Sequence, residues 1–202
     1  MTRRAAALLL AGPPAARACP PGIAPAEFAR ALAEDVADLL ADLPGLDPVV
    51  AAAPDRVADA EDVVWPGTPV LEVAGRPVDV LTALAEQGYD EAAVFVADAP
   101  DLPGLLVAKP FSALSTAALV AAAPAYGGGL VALASRLPVP AWLPIDVDLD
   151  EPYAVERLMA AAPRPGDVAL TPSWRRLRRR EDLAALDPEL EGWEATRTLL
   201  AG

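Results

Sequence analysis

The stretch EAAVFVADAPDLPG, residues 91 to 104, constrains the fold more than any other part of the chain. From Ala92 to Ala97 no polar side chain interrupts the run. A strand with one wet face alternates apolar and polar residues, whereas a strand apolar on both faces must be covered on both. A sheet flanked by helices supplies that cover. The run over 91–97 stops on Asp98, and Asp101 follows at once, braced by Pro100 and Pro103. Ligands of open α/β sheets bind just beyond the carboxyl ends of the strands. Asp98 and Asp101 are therefore the first candidate site residues, and they are the candidate catalytic carboxylates.

The rest of the chain repeats the same rhythm. Short apolar runs at 5–11, 49–53, 69–73, 116–123, 130–134 and 167–170 read as strands. Between them, Phe28, Leu32, Val36, Leu39, Leu40 and Leu43 recur at helical spacing and stop at Pro44-Gly45. Val78, Leu81, Leu84 and Ala85 mark a second helix, closed by Gly88. Further helices are expected at 105–114, 153–161, 181–186 and 192–200, with 54–68 irregular. Strands alternating with helices predict a three-layer α/β fold around a mainly parallel sheet. With no internal repeat and no long linker, residues 1–202 are expected to form one domain. The opening MTRRAAALLLAG imitates a secretory leader, but its apolar run is short and prolines follow it; a buried first strand is the expected reading. No apolar stretch of about 20 residues is present, so no membrane span is expected.

Charge and residue usage narrow the function. A chain of 202 residues can bury roughly 70% of its unfolded surface without staples. Its net charge of −13 disfavours nucleic acid and anionic membrane as partners, because both are bound through phosphate neutralisation. A nucleotide carried with a divalent cation is not disfavoured. One cysteine, Cys19, fits a reducing compartment, so a cytoplasmic location is expected. With no histidine, Ser-His-Asp and Cys-His catalysis are excluded, as are zinc sites built on several Cys or His ligands.

Four features can carry chemistry. Asp98 suits a hard divalent ion such as Mg²⁺, which takes one or two carboxylates plus substrate phosphates; capping of the next helix is the alternative. Asp146, Asp148 and Asp150 alternate in IDVDLDE, so in extended chain they share a face and require a cation, an arginine or solvent. The glycines of YGGG, Gly127, Gly128 and Gly129, allow either a close ligand approach or a plain turn. The cluster Arg175, Arg176, Arg178, Arg179 and Arg180 balances acidic neighbours, binds a phosphate or meets a protein partner.

The strand ending in ADAPDLP, the later PAYGGGLVALA and the DVDLDEP segment, in that order, resemble the glycosyltransferase-A-like nucleotidyltransferase superfamily. Its nearer members include uncharacterised bacterial glycosyltransferase-like domains and the 2-phospho-L-lactate and molybdenum cofactor guanylyltransferases. The resemblance runs from the first strand to about residue 160, leaving 163–202 as a C-terminal extension. It implies a nucleotide-diphospho-sugar transferase-like fold and a metal-dependent transferase acting on a nucleotide or nucleotide sugar. The alternative is a non-catalytic member that binds a metabolite or a protein partner. It implies Mg²⁺ or Mn²⁺ on Asp98, completed by Asp148 or Asp146. It assigns Gly127, Gly128 and Gly129 to the substrate side. The first loop, AGPPAARACPPGIAP, departs from the family's glycine-rich or basic phosphate loop, with Arg17 its only charged residue and the remaining substrate-binding candidate.

Overall fold

A computed structural model describes residues 2–11, 17–116 and 118–202. Its strands are β1 (Arg4–Leu10), β2 (Asp47–Ala52), β3 (Val70–Glu72), β4 (Glu91–Val96), β5 (Val120–Pro124), β6 (Leu130–Arg136) and β7 (Val168–Leu170). They form one seven-stranded sheet in the order β3-β2-β1-β4-β6-β5-β7. All pairs are parallel except those made by β6, which runs antiparallel to both β4 and β5. The helices are α1 (Pro25–Asp42), α2 (Val57–Glu61), α3 (Pro77–Glu86), α4 (Gly104–Thr116), α5 (Ala154–Ala161) and α6 (Glu194–Ala201). Among the described residues no helix is long and apolar enough to cross a membrane.

The apolar run of β4 lies in the middle of the sheet, and all six of its residues are buried. Its core neighbours Ala5 to Leu10 on β1 are buried as well, so the centre of the sheet is dry on both faces. The two arginines at the start of β1, Arg3 just before it and Arg4 its first residue, are fold contacts. The Arg3 amide donates to Asp90 at 2.7 Å, and Arg4 Nε bonds the buried Glu91 at 2.8 Å. Helix α1 begins with Pro25 at its first position and Glu27 in its first turn, both suited to a helix start. It buries Phe28, Leu32, Val36 and Leu40, one row of i, i+4 neighbours.

Three local readings shift. The segment 54–68 holds a 3₁₀ turn at Pro54–Arg56 and the short α2. The strand expected from 116 starts at Val120, because α4 runs on to Thr116. The expected helix at 181–186 is a 3₁₀ segment, Arg180–Ala185.

The strand order reverses at β1. Crossovers run from β1 to β2 to β3 on one side, then return to β4 on the other. The gap beyond the carboxyl ends of β1 and β4 is therefore the topological switch point, where ligands of such sheets lie. The C-terminal segment crosses that gap. From β7 it continues beside β5, with Trp174 N donating to Pro124 O at 3.1 Å and Tyr126 N to Trp174 O at 2.9 Å. Leu177 N then donates to Asp98 O at 2.7 Å. Leu177 buries itself in a second small core with Ala18, Cys19, Phe28 and Leu32. Finally α6 docks on α1, where Asp35 accepts the Ala195 and Thr196 amides at 2.8 and 2.9 Å and so caps the helix start.

Candidate functional site

A cleft of about 240 Å³ opens at the switch point, lined by Leu10 of β1, Gly75, Asp98, Asp148, Asp150 and Arg176 among others. Two elements nearly fifty residues apart in sequence thus bring Asp98 and Asp148 to one crevice. Asp98 follows β4 directly. Asp148 belongs to a loop in which Val147 and Leu149 are buried while Asp146, Asp148 and Asp150 stay exposed, the alternation of an extended segment.

Asp98 is held by an arginine. Arg176 Nε reaches Oδ1 at 2.6 Å and Nη2 reaches Oδ2 at 2.9 Å, a bidentate fork. Arg176 Nη1 donates to the carbonyls of Leu130 and Leu149, both at 3.0 Å, and Nη2 pairs with Asp150 at 2.7 Å. A guanidinium has five N–H donors, and this one has five acceptors around it. Its side chain is 7% exposed. Burial works against its charge, but the Asp98 and Asp150 carboxylates outweigh it and hold the Arg176 pKa above the ordinary arginine value.

Arg178 is half-buried beside this group and lies outside the cleft lining itself. Nη1 donates to Gly128 O at 2.8 Å and Nη2 approaches Asp150 at 3.3 Å. Burial, then the neighbouring Arg176 charge, lowers its pKa. Asp150 therefore bridges two guanidiniums while remaining 68% exposed. Arg179 and Arg180 are exposed.

The remaining candidates lie as follows. Asp101 does not line the cleft. Its side chain is 1% exposed, accepts Trp174 Nε1 at 3.2 Å and Arg175 Nε at 2.6 Å, and Arg175 stacks 4.5 Å from the Trp174 ring. Asp148 Oδ1 accepts the Asp150 amide at 2.9 Å, a local turn bond. Asp146 points to Arg157, outside the cleft. Gly127, Gly128 and Gly129 all have positive φ. A Cβ on Gly129 would meet Leu149 O at 2.6 Å and Arg178 Nη2 at 2.7 Å; one on Gly128 would meet Pro152 O at 3.1 Å. Packing of the 149–152 loop and of Arg178 thus requires two of the three glycines. A Cβ on Gly127 would meet nothing within 4 Å. Arg17 is an exposed turn residue and does not line the cleft. Residues 12–16 of that first loop lie outside the described residues.

Sequence reading named Asp150 with Asp146 and Asp148 but did not assign it to the site, nor which arginines turn inward. The available signal was Trp174 and Leu177, apolar residues set among arginines in an acidic chain: where they bury, some guanidiniums must follow.

The implied divalent cation does not fit this donor set. Both Asp98 oxygens are taken by Arg176, Asp148 is engaged by a backbone amide, and Asp146 faces elsewhere. Among the described residues no group of three or more His, Cys, Asp or Glu is arranged to hold a metal ion.

No family model matches the chain, and no curated protein matches it in sequence. Solved structures do match in fold. A Desulfovibrio desulfuricans protein assigned as a nucleotide-diphospho-sugar transferase superposes with a TM-score of 0.68 at 18% identity, covering 100% of this chain and 96% of its own. The 4-diphosphocytidyl-2C-methyl-D-erythritol synthase of Anaerococcus prevotii superposes at 0.60 with 10% identity, over 98% and 96%. Rv0371c of Mycobacterium tuberculosis, solved in complex with manganese, superposes at 0.55 with 17% identity, over 100% and 99%. This chain therefore has the nucleotidyltransferase-like fold, with a mostly parallel sheet between helices.

Proposed function

We propose that the cleft binds the phosphate end of a nucleotide or nucleotide sugar and that the protein is a transferase for that substrate class. One observation carries this reading: Asp150, an exposed carboxylate, bridges Arg176 and Arg178 at the mouth of the cleft. An oxyanion on two guanidiniums is the arrangement a phosphate takes. A ligand phosphate that displaced Asp150 would accept from Nη2 of both arginines while the buried fork on Asp98 stayed intact. Several of the fold's neighbours are named for nucleotide chemistry, among them a CMP:2-keto-3-deoxy-manno-octonic acid synthetase complexed with CTP. In transfer, negative charge grows on the leaving phosphate, and Arg178 with the outer face of Arg176 would stabilise it electrostatically. The residues as arranged do not provide for a metal, so no step is assigned to one.

The test is a thermal-shift and calorimetric panel of nucleotides and nucleotide sugars in the presence of a chelator. A true ligand at 100 times its Kd stabilises by about 2.7 kcal/mol, which for a chain this long is about 5–10 °C. Arg178→Ala should weaken that ligand by about tenfold or more, and Asp150→Ala should strengthen it by removing the internal competitor. A panel with no stabilising nucleotide overturns the reading.

A second reading, a non-catalytic binder, is favoured by the consumption of Asp98 and Asp101 in arginine pairs. Nucleotide binding with no release of pyrophosphate or nucleoside diphosphate across a panel of acceptors selects it.

A further inference from the structure

We infer that Arg176 is the resident cation of this site: it stands on Asp98 in place of a divalent metal and makes the cleft metal-independent. The inference concerns the free protein and holds whether or not a nucleotide is its ligand.

The argument starts from the chemistry of a carboxylate at a divalent site. Such a group must turn at least one oxygen lone pair toward the ion. Asp98 has both oxygens on one guanidinium, at 2.6 and 2.9 Å. Displacing that guanidinium is not a side-chain rotation at the surface. Arg176 is 93% buried by side-chain area, its exposure being 7%. It is also pinned by the carbonyls of Leu130 and Leu149, from two different segments. If Arg176 left, the Asp98 carboxylate and the Leu130 carbonyl would lose its hydrogen bonds at once, while the Leu149 carbonyl would keep only the Leu130 amide at 2.8 Å, a combined cost in a largely buried place. If it stayed, a divalent ion would sit beside a fixed positive charge.

The other acidic groups do not rebuild a site without Asp98. Asp148 and Asp150 are exposed, and Asp150 itself is drawn to Arg176 and Arg178. The backbone supports the substitution independently. The segment from Trp174 to Leu177 is tied to β5 and to the Asp98 carbonyl by main-chain hydrogen bonds, so residue 176 is delivered to Asp98 by the fold. Gly129 leaves the room that Arg178 occupies next to it. The arginine is therefore built in.

The consequence is a ligand preference. A site whose positive charge is carried by guanidiniums should take the anion alone, where a metal-dependent one takes the anion as its metal complex.

The experiment is a Mn²⁺ titration followed by electron paramagnetic resonance and by melting temperature. It uses the full chain in four forms: parent, Asp98→Asn, Arg176→Ala and the double variant. The parent and Asp98→Asn are expected to bind Mn²⁺ equally weakly, with no site tighter than about millimolar. Arg176→Ala should gain Mn²⁺ affinity by about tenfold or more, with a matching rise in melting temperature, and Asp98→Asn should remove that gain. A parent protein that binds Mn²⁺ in an Asp98-dependent way overturns the inference, as does a folded Arg176→Ala that gains nothing. Should Arg176→Ala not fold, the parent against Asp98→Asn still decides: equal weak binding supports the inference and unequal binding overturns it. A nucleotide panel with no hits would sink the proposed function and leave this result standing.

Discussion

The two acidic segments of this chain look alike in sequence and end in opposite states. The turn ADAPDLP and the loop IDVDLDEP both space aspartates among prolines and apolar residues. In the first, Asp101 is buried and Asp98 half-buried at the cleft wall, and each is matched by an arginine arriving from the C-terminal segment, Arg175 and Arg176. In the second, Asp146, Asp148 and Asp150 stay exposed and are used singly: on Arg157, on a local amide, and across two arginines. The difference teaches that carboxylate spacing does not announce a metal. A carboxylate drawn into the fold takes the donors the fold delivers, and for Asp98 and Asp101 these are guanidiniums. The exposed set is left free to exchange partners, which is why the proposed phosphate is placed at Asp150 and not at Asp98.

That contrast is open to direct measurement, beginning where the largest change is expected. Arg176→Met should lower stability by about 3–5 kcal/mol in urea unfolding, because it leaves the Asp98 carboxylate and the Leu130 carbonyl without their guanidinium donor. A loss under about 1 kcal/mol, the range of exposed pairs, would erase the distinction between the two segments. Gly129→Ala comes next. Its Cβ would meet the Leu149 carbonyl at 2.6 Å and the backbone has φ of +78°, so a cost of about 1–3 kcal/mol is expected. The same variant should loosen Arg178, read as a weaker response to any anionic ligand.

Asp35 sharpens the comparison as a buried carboxylate that no arginine meets. Asp35, 2% exposed, is satisfied by the Ala195 and Thr196 amides. Burial pushes its pKa up to about 6; the two residues' hydrogen bonds oppose the shift and Glu194 adds to it. The folded protein therefore holds this proton more tightly than the unfolded chain does. The stability it contributes is full below about pH 4 and is lost as pH rises through about 6. Asparagine at 35 offers one acceptor oxygen to the two amides and does not titrate, so Asp35→Asn should cost some stability at every pH and remove that decline. The parent-minus-variant difference should change by about 1.4 kcal/mol per pH unit inside the window and be flat outside it. A difference flat throughout would show that the amide bonds, not burial, govern Asp35.

The smallest effect belongs to the exposed loop. Asp146→Asn removes a pair with Arg157 in which the aspartate is 66% exposed, so a loss of at most about 1 kcal/mol is expected, shrinking further in high salt. An effect as large as that of Arg176→Met would place the loop among the buried elements.

What the sequence determined by itself was everything carried by local periodicity and burial. The run over 91–97 demanded cover on both faces and is the central strand. The rows of Phe28, Leu32, Val36 and Leu40 and the β-α-β rhythm were enough to specify helices packed on a mainly parallel sheet. The alternation of Asp146, Asp148 and Asp150 against Val147 and Leu149 was legible for the same reason, since a strand-like period of two needs no tertiary information. The crossing of the sheet by residues 171–178 was not legible, and with it the pairing of Asp98 to Arg176 and Asp101 to Arg175. These partners are 78 and 74 residues apart, and no local pattern distinguishes Arg175, Arg176 and Arg178 from the solvent-facing Arg179 and Arg180. Only the docking of Leu177 beside Phe28 and the pairing of Trp174 along β5 set which guanidiniums turn inward. Charge selects its partner by distance and burial, and both are properties of the folded chain.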